Sequence, residues 1–206
     1  NILLSLPKSI TELVISEELY GEVDFSILSV QKFTNIKSIV LSPGKVTEIK
    51  GIPSTLVKLY CSGNILIGLG ILPHSLKELD CSKNHITVLD LETVPNLTYL
   101  NCAYNKLHEL KNLPEFLLKL ICNNNSISIL DLHSCQSITM VDISENYSGL
   151  IIRSRPSSLI DLKMDNGISA EIQHVANNNI NGGGSGEADH DDSMRDVAEC
   201  MKVYFH

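Results

Sequence analysis

Aliphatic residues recur along the chain in a fixed register with a period of 20 or 21 residues. The repeated pattern is L-x-x-L-x-C-x-x-N-x-L/I, and a proline lies a few residues upstream of each of its four strongest copies. The cysteines of these copies are Cys61, Cys81, Cys102 and Cys122, and their asparagines are Asn64, Asn84, Asn105 and Asn125. Weaker copies lie on both sides, and one of them keeps Asn146 but replaces the cysteine by Ile143. A repeat of this length predicts a solenoid in which each copy stacks on the next.

Each copy predicts one short strand, a turn and a return path. Alternate residues of the L-x-C segment should point inward, and successive strands should pair in parallel around positions 15, 41, 61, 81, 102, 122, 143 and 164. The asparagine side chain is expected to bond backbone groups at the turn that ends the strand. About ten residues remain for the return, too few for a helix with its loops, and the prolines favour extended or turn geometry there. The interval between the first two strands is longer and predicts a loop over residues 20–29.

This register resembles the leucine-rich repeat family, and the resemblance covers residues 6–167. It implies an α/β-type solenoid: a horseshoe with a parallel concave sheet and a mostly non-helical convex side of 3₁₀ or polyproline pieces. The Leu-Pro-containing copies are similar to repeats of secreted bacterial effectors. The cysteine-bearing copies are similar to repeats of some bacterial surface proteins and large DNA viruses. The resemblance further implies a non-catalytic module that binds a protein partner through its concave face.

The domain organisation follows from where the repeats end. Residues 1–167 are predicted to form the solenoid of about eight repeats, and residues 168–192 a polar, acidic linker rich in Gly and Asn. Residues 193–206 have apolar positions at helical spacing, which predicts an amphipathic helix. We expect this helix to cap the open C-terminal edge of the solenoid, with docking on another chain as the alternative. From the sequence we expect neither a signal peptide nor a membrane span, since no apolar stretch is long enough for a span.

The four repeat cysteines should stack in one inward-facing column. Neighbouring strands are about 4.8 Å apart, whereas a disulfide needs Cβ atoms about 3.8 Å apart. We therefore predict a ladder of reduced, structural thiols, with disulfides or a bound metal as alternatives. Cys135 is predicted to lie on the return side, and Cys200 in the C-terminal helix. Buried free thiols suit the cytoplasm or another reducing compartment, which would be the host cytosol for a secreted effector or a viral protein.

Composition and charge exclude several classes of function. The 206 residues are 43% hydrophobic with a net charge of −8, and from residue 165 onward there are eight acidic and two basic residues. The remaining body is nearly neutral and offers no electrostatic footprint for nucleic acid or an anionic membrane. The seven histidines are scattered, and no Walker, G-x-S-x-G or H-E-x-x-H motif occurs. We therefore predict no enzyme activity, no catalytic residues, no cofactor and no metal site.

The outward positions of the predicted strands supply the candidate binding residues. Aromatic and methionine side chains on an otherwise polar sheet are typical of protein interfaces, and carboxylates add an acidic rim. The residues predicted to contact a partner are Tyr60, Asp80, Tyr99, Asn101, Tyr104, Ile121, Met140 and Asp142. The simpler reading is that tyrosine is merely a good strand former on an exposed face. The alternative function is a structural component of a larger assembly, for example a virion or minor capsid-type protein of a large DNA virus. Such a component should expose apolar surface on its convex side as well.

The predicted thiol ladder makes the thermal stability independent of reductant. Adding dithiothreitol should leave the melting temperature unchanged, because no disulfide closes a loop in the chain. Differential scanning fluorimetry with and without reductant measures this directly. A large drop in melting temperature on reduction would contradict the ladder and indicate an oxidising compartment.

Overall fold

Each copy of the repeat contributes one strand to a single parallel sheet in the computed structural model, which describes residues 9–30, 32–165 and 171–173. In chain order the elements are β1 (Glu12–Ile15), β2 (Tyr20–Asp24), α1 (Ser26–Val30), β3 (Ser38–Leu41), β4 (Lys45–Lys50), β5 (Lys58–Tyr60), β6 (Glu78–Asp80), β7 (Tyr99–Asn101), β8 (Lys119–Ile121), β9 (Ile129–Asp131), β10 (Met140–Asp142), β11 (Ile151–Arg153), β12 (Asp161–Lys163) and β13 (Glu171–Gln173).

The main sheet has eight strands in the order β1-β3-β5-β6-β7-β8-β10-β12. Every neighbouring pair is parallel and aligned at equivalent repeat positions, so that Leu59 lies beside Leu79, and Leu79 beside Leu100. These central leucines are fully buried. The predicted parallel-sheet solenoid is therefore confirmed. The strands lie slightly earlier than predicted: β5 ends at Tyr60, and Cys61 follows it while still pointing inward, because it lies two residues after Leu59.

The return side is mostly non-helical, as predicted, but it contains strands where 3₁₀ or polyproline pieces were expected. Two small parallel sheets lie there, β2-β4 and β9-β11-β13. The segment predicted as a loop, residues 20–29, instead forms β2 and most of α1, the only helix in the described part of the chain. Its buried Phe25 and Leu28 fill the space beside the first coils, which gives the segment a reason to be ordered.

The C-terminal boundary of the repeat region differs from the expected position. The backbone of β13 pairs with β11, so that Ile172 lies beside Ile152. The predicted boundary at residue 167 falls short of this strand, which lies in the segment predicted as a linker. The remainder of that linker beyond Gln173, the predicted helix over residues 193–206 and Cys200 lie outside the described residues.

The core is a stack of aliphatic side chains with one column of thiols. Cys61, Cys81, Cys102 and Cys122 are fully buried and unbonded to one another, and burial raises the pKa of all four thiols above the usual range. Cys135 lies on the return side and is also buried. Thiols in such surroundings stay protonated and behave as small apolar side chains.

The asparagine of each repeat joins its own coil to the coil before it. Asn105 Nδ2 donates to the carbonyls of Cys102 and Ala103 in its own turn, at 3.1 and 3.3 Å, and to Cys81 O of the preceding coil at 3.0 Å. Its Oδ1 accepts the backbone N–H of Ile86, again in the preceding coil, at 2.9 Å. Corresponding contacts are made by Asn64, Asn84, Asn125 and Asn146.

The turn that carries each asparagine needs a left-handed residue directly before it. Gly63 has φ of 73°, and a side chain there would also bring a Cβ within 2.9 Å of Pro43. The equivalent residues of the following four coils take φ values from 52° to 55° although none is glycine: they are Lys83, Tyr104, Asn124 and Glu145. A left-handed residue with a Cβ costs about 1–2 kcal/mol, so the bonds of each asparagine must offset this cost.

Removing one asparagine side chain from the ladder should destabilise the protein strongly. Asn105→Ala leaves the Ile86 N–H and three carbonyls without their partner, and each buried group left unsatisfied costs about 1–3 kcal/mol. We expect a loss of roughly 2–4 kcal/mol in urea unfolding. The matched control is Asn123→Ala, a half-buried asparagine two residues from Asn125 whose side chain makes none of these bonds; it should change the free energy of unfolding by less than about 0.5 kcal/mol. Equal losses in the two variants would contradict this role.

Candidate functional site

The outward side chains of the main sheet form two rows, which we call the concave face. The first row runs across five strands through the first residue of each strand, and the second row through the third residue. The first row is Lys58, Glu78, Tyr99, Lys119 and Met140. The second row is Tyr60, Asp80, Asn101, Ile121 and Asp142. Because the strands are parallel and in register, residues 20 or 21 apart in the chain become direct neighbours.

Tyr60 is held by a charged pair on the first row. Its hydroxyl donates to Glu78 Oε2, while Lys58 Nζ lies 2.9 Å from Glu78 Oε1. Partial burial, and then the hydrogen bond to this carboxylate, raise the pKa of Tyr60 to about 12. The same hydrogen bond, followed by the one from Lys58, lowers the pKa of Glu78. The tyrosine is thus a neutral, half-buried side chain held by its hydroxyl.

Tyr99 lies at the centre of the first row beside a lysine. Lys119 Nζ is 5.8 Å from the centre of its ring, within the range of a cation–π contact. Partial burial and then the nearby Asp80 carboxylate raise the pKa of the Tyr99 hydroxyl. Tyr60, Tyr99, Lys119 and their neighbours Glu78 and Leu118 line a shallow depression in the concave face.

The carboxylates of the second row are committed to the turns that follow the strands. Asp80 Oδ1 accepts the backbone N–H of Ser82 at 3.0 Å and its hydroxyl at 2.7 Å, and Asp80 Oδ2 accepts from Asn101 at 3.1 Å. Asp142 Oδ1 accepts the hydroxyl of Ser144 at 2.7 Å. These acidic side chains therefore support the strand ends in addition to lying on the outer surface.

The structure brings seven of the eight predicted contact residues into these two rows. All seven are half-buried, so they lie lower in the surface than expected for freely exposed groups. The eighth, Tyr104, lies just beyond β7 in the left-handed position and is 51% exposed. The prediction left out Lys58, Glu78 and Lys119, which position the tyrosines. The repeat period contained the signal, since it places Lys58 beside Glu78 and Tyr99 beside Lys119.

The concave face combines apolar and aromatic side chains with charged ones. The described residues contain no group of three or more His, Cys, Asp or Glu arranged to hold a metal ion. Within the same part of the chain, no helix has the length and hydropathy needed to cross a membrane. The two rows contain Tyr60, Tyr99, Ile121 and Met140 among charges that already have partners, and the exposed Tyr104 follows three residues after β7.

Comparison with known proteins agrees with the architecture. A family model of leucine-rich repeats, in two copies, matches residues 74–115. A comparison with curated protein sequences found no match. YopM from Yersinia enterocolitica WA-314 is similar in structure, with 27% identity, a TM-score of 0.59 and coverage of 78% of this chain and 38% of YopM.

Two further solved structures share the fold. An LRR domain of a Shigella effector has 22% identity and a TM-score of 0.52, with coverage of 65% of this chain and 63% of that domain. The internalin InlF from Listeria monocytogenes has 19% identity and a TM-score of 0.54, with coverage of 72% of this chain and 48% of the internalin. The chain therefore spans less than two thirds of each of the three structures.

The bond between Tyr60 and Glu78 should be visible in the alkaline titration of the tyrosines. Because the pKa of Tyr60 is raised, the folded protein holds this proton more tightly than the unfolded chain. Its contribution to stability is complete below the unfolded pKa of 10 and is lost as the pH rises through about 12. Absorbance at 295 nm, recorded after rapid jumps to increasing final pH, should show a tyrosinate that forms only near pH 12 and is absent in Tyr60→Phe. Glu78→Gln should move this step toward lower pH, and an unmoved step would contradict the assignment.

Proposed function

The chain is a leucine-rich repeat protein, and from this premise we propose that it is a non-catalytic module that binds a protein partner through the concave face. The observation that carries the proposal is a group of apolar and aromatic side chains, four of them on that face and one just beyond β7, among charges with internal partners. These side chains are Tyr60, Tyr99, Tyr104, Ile121 and Met140. Tyrosine and methionine are enriched in protein interfaces, and tyrosine is a frequent hot-spot residue.

The internal pairing of the charges favours binding. Lys58 is paired with Glu78, Lys119 lies over Tyr99, and Asp80 accepts bonds from Ser82 and Asn101. Side chains that are ordered before binding lose little conformational freedom in a complex, and each rotamer-rich side chain that needs no ordering saves about 0.5–1.5 kcal/mol. The face is therefore preorganised for a rigid partner surface.

We propose that this module has an effector-like role in a reducing compartment. The similarity to YopM at 27% identity supports a bacterial effector-like module. The five cysteines of the described residues are buried and unpaired, which supports the cytoplasm or the cytosol of a host cell. The relatives described above give no support to the alternative of a virion component.

A differential binding experiment identifies the partner. Immobilised wild-type protein and a Tyr99→Ala/Tyr104→Ala variant are exposed to the same host-cell lysate, and captured proteins are quantified by mass spectrometry. A true partner should bind the double variant at least tenfold more weakly, because two interface tyrosines carry about 2–3 kcal/mol together. The melting temperature should stay nearly unchanged.

The matched control is Tyr147→Ala, since Tyr147 is 59% exposed and lies outside the two rows and beyond the ladder asparagine of its coil. This variant should retain the partner. A double variant that loses stability in proportion to binding would show that the two tyrosines are structural. Unchanged capture by the double variant would place binding on another surface.

A further inference from the structure

A groove crosses the return side of the solenoid, opposite the concave face. It consists of two adjoining depressions of about 600 and 710 Å³ that share Glu92, Lys111 and Asn112. Three consecutive return segments line it, residues 87–95, 108–116 and 128–134. We call this feature the return groove.

Unequal repeat lengths account for the groove. The coils that run from Leu79 to Leu100 and from Leu120 to Val141 have 21 residues, whereas the coil between them has 20. Each longer coil makes an extra turn capped by an aspartate: Asp90 Oδ1 accepts the N–H of Glu92, and Asp131 Oδ1 that of His133, both at 2.9 Å.

The shorter coil turns back without such a cap. It bends at the left-handed Asn112, with φ of 54°, directly before Leu113 and Pro114. Its backbone bridges to both neighbours, through Lys111 beside Asp90 and Glu109 beside Ile129. The middle segment thus forms the floor, and the two longer segments form the walls.

The lining combines exposed apolar side chains with a strong excess of negative charge. Val88 is 72%, Phe116 52% and Ile129 37% exposed. The carboxylates in the lining are Asp90, Glu92, Glu109, Glu115 and Asp131. Lys111 is the only lysine or arginine among the lining residues, and its Nζ lies 2.7 Å from Glu109 Oε1.

The spacing of the walls sets the size of the occupant. The walls are two coils apart, which is about 10 Å at a strand spacing of about 4.8 Å. This width admits one extended chain. It is too small for a helix, whose diameter of about 10–12 Å would overlap the wall side chains. The charge selects a cationic segment, and the exposed Val88, Phe116 and Ile129 select apolar side chains between the cations.

We propose that the return groove binds an extended segment of a partner protein in which arginine or lysine alternates with apolar residues. The cations pair with carboxylates of the lining, and an arginine stacks on the ring of Phe116. Alternate side chains of an extended chain point to opposite sides, so the apolar ones share one side, on which they enter the space between Val88 and Ile129. This site lies on the other side of the solenoid from the concave face, and its test is independent of the function proposed there.

A short labelled peptide tests the proposal on the full 206-residue protein. The probe is a fluorescein-labelled octapeptide of alternating Arg and Val, followed by fluorescence anisotropy at low salt. Two comparison peptides are an alternating Glu-Val octapeptide and a block peptide of four Arg followed by four Val. The alternating cationic peptide should bind at least tenfold more tightly than either. Equal binding of the block peptide would overturn the proposal, because it would show that only net charge matters.

Charge-reversal variants locate the binding on the protein. Glu92→Lys/Glu115→Lys changes two exposed carboxylates of the lining, one on a wall and one on the floor, and the expected result is at least a tenfold loss of affinity for the alternating peptide. The matched control is Glu145→Lys/Asp161→Lys, which changes the net charge equally at exposed positions on the opposite side of the solenoid. It should weaken binding no more than about threefold, in line with a screened long-range effect.

A substitution that leaves the net charge unchanged distinguishes binding in the return groove from nonspecific electrostatic attraction. Phe116→Ser removes the exposed ring without altering any charge, and it should weaken the alternating peptide about fivefold while Tyr104→Ser has no effect. Circular dichroism melts confirm that every variant is folded. Equal weakening by both charge-reversal pairs, or no effect of Phe116→Ser, would overturn the site.

Discussion

The amide side chain of the ladder asparagine is the interaction on which the rest of the solenoid depends. At the end of each strand the chain turns away from the sheet, and the backbone N–H two residues after each ladder asparagine has no strand partner. Leu66, Ile86, Leu107 and Ile127 each donate this N–H to the asparagine of the next coil. Burying that group unpaired would cost about 1–3 kcal/mol per coil. Burial of leucines and thiols drives the coils together, but it is non-directional and would not set the distance between turns.

The same turn also determines which side chains are exposed beyond the strand ends. A left-handed residue precedes each asparagine, and Lys83, Tyr104 and Glu145 are exposed at this position. Tyr60 and Tyr99, in contrast, lie within the strands and are half-buried. The equivalent position varies freely among glycine, lysine, tyrosine, asparagine and glutamate from coil to coil. The fold requires only a left-handed backbone at this position, so the side chain can vary and can be selected for contact with a partner.

The sequence predicted the solenoid well because its signals are local and repeated. The spacing of cysteine and asparagine fixed the inward positions, and Cys81 and Asn84 lie where the period predicts. The strand ends were displaced, since a two-residue alternation keeps Leu79 and Cys81 inward whether the strand ends before or after the cysteine. On the concave face, the outward positions of Tyr60 and Tyr99 were predicted from the same register.

What could not be predicted depends on contacts between coils. The repeat period implies that Tyr60 and Glu78 lie on neighbouring strands. Whether their side chains bond depends also on the length and direction of each side chain, which the period does not give. The return strands arise from pairing between segments whose own sequences carry little strand signal, such as Glu171–Gln173. The return groove comes from a length difference of one residue, whose effect on the surface depends on the capped turns of Asp90 and Asp131.

The asparagine ladder also has a direction. Each asparagine receives its N–H from the coil before it, so a coil is completed by residues that follow it in the chain. Asn146 closes the coil of Ile127, and Asn125 closes the coil of Leu107. A ribosome makes the chain in this same order, and each newly emerged turn finishes the coil that emerged before it. The growing solenoid can therefore settle one coil at a time during synthesis, with only its most recent coil left open.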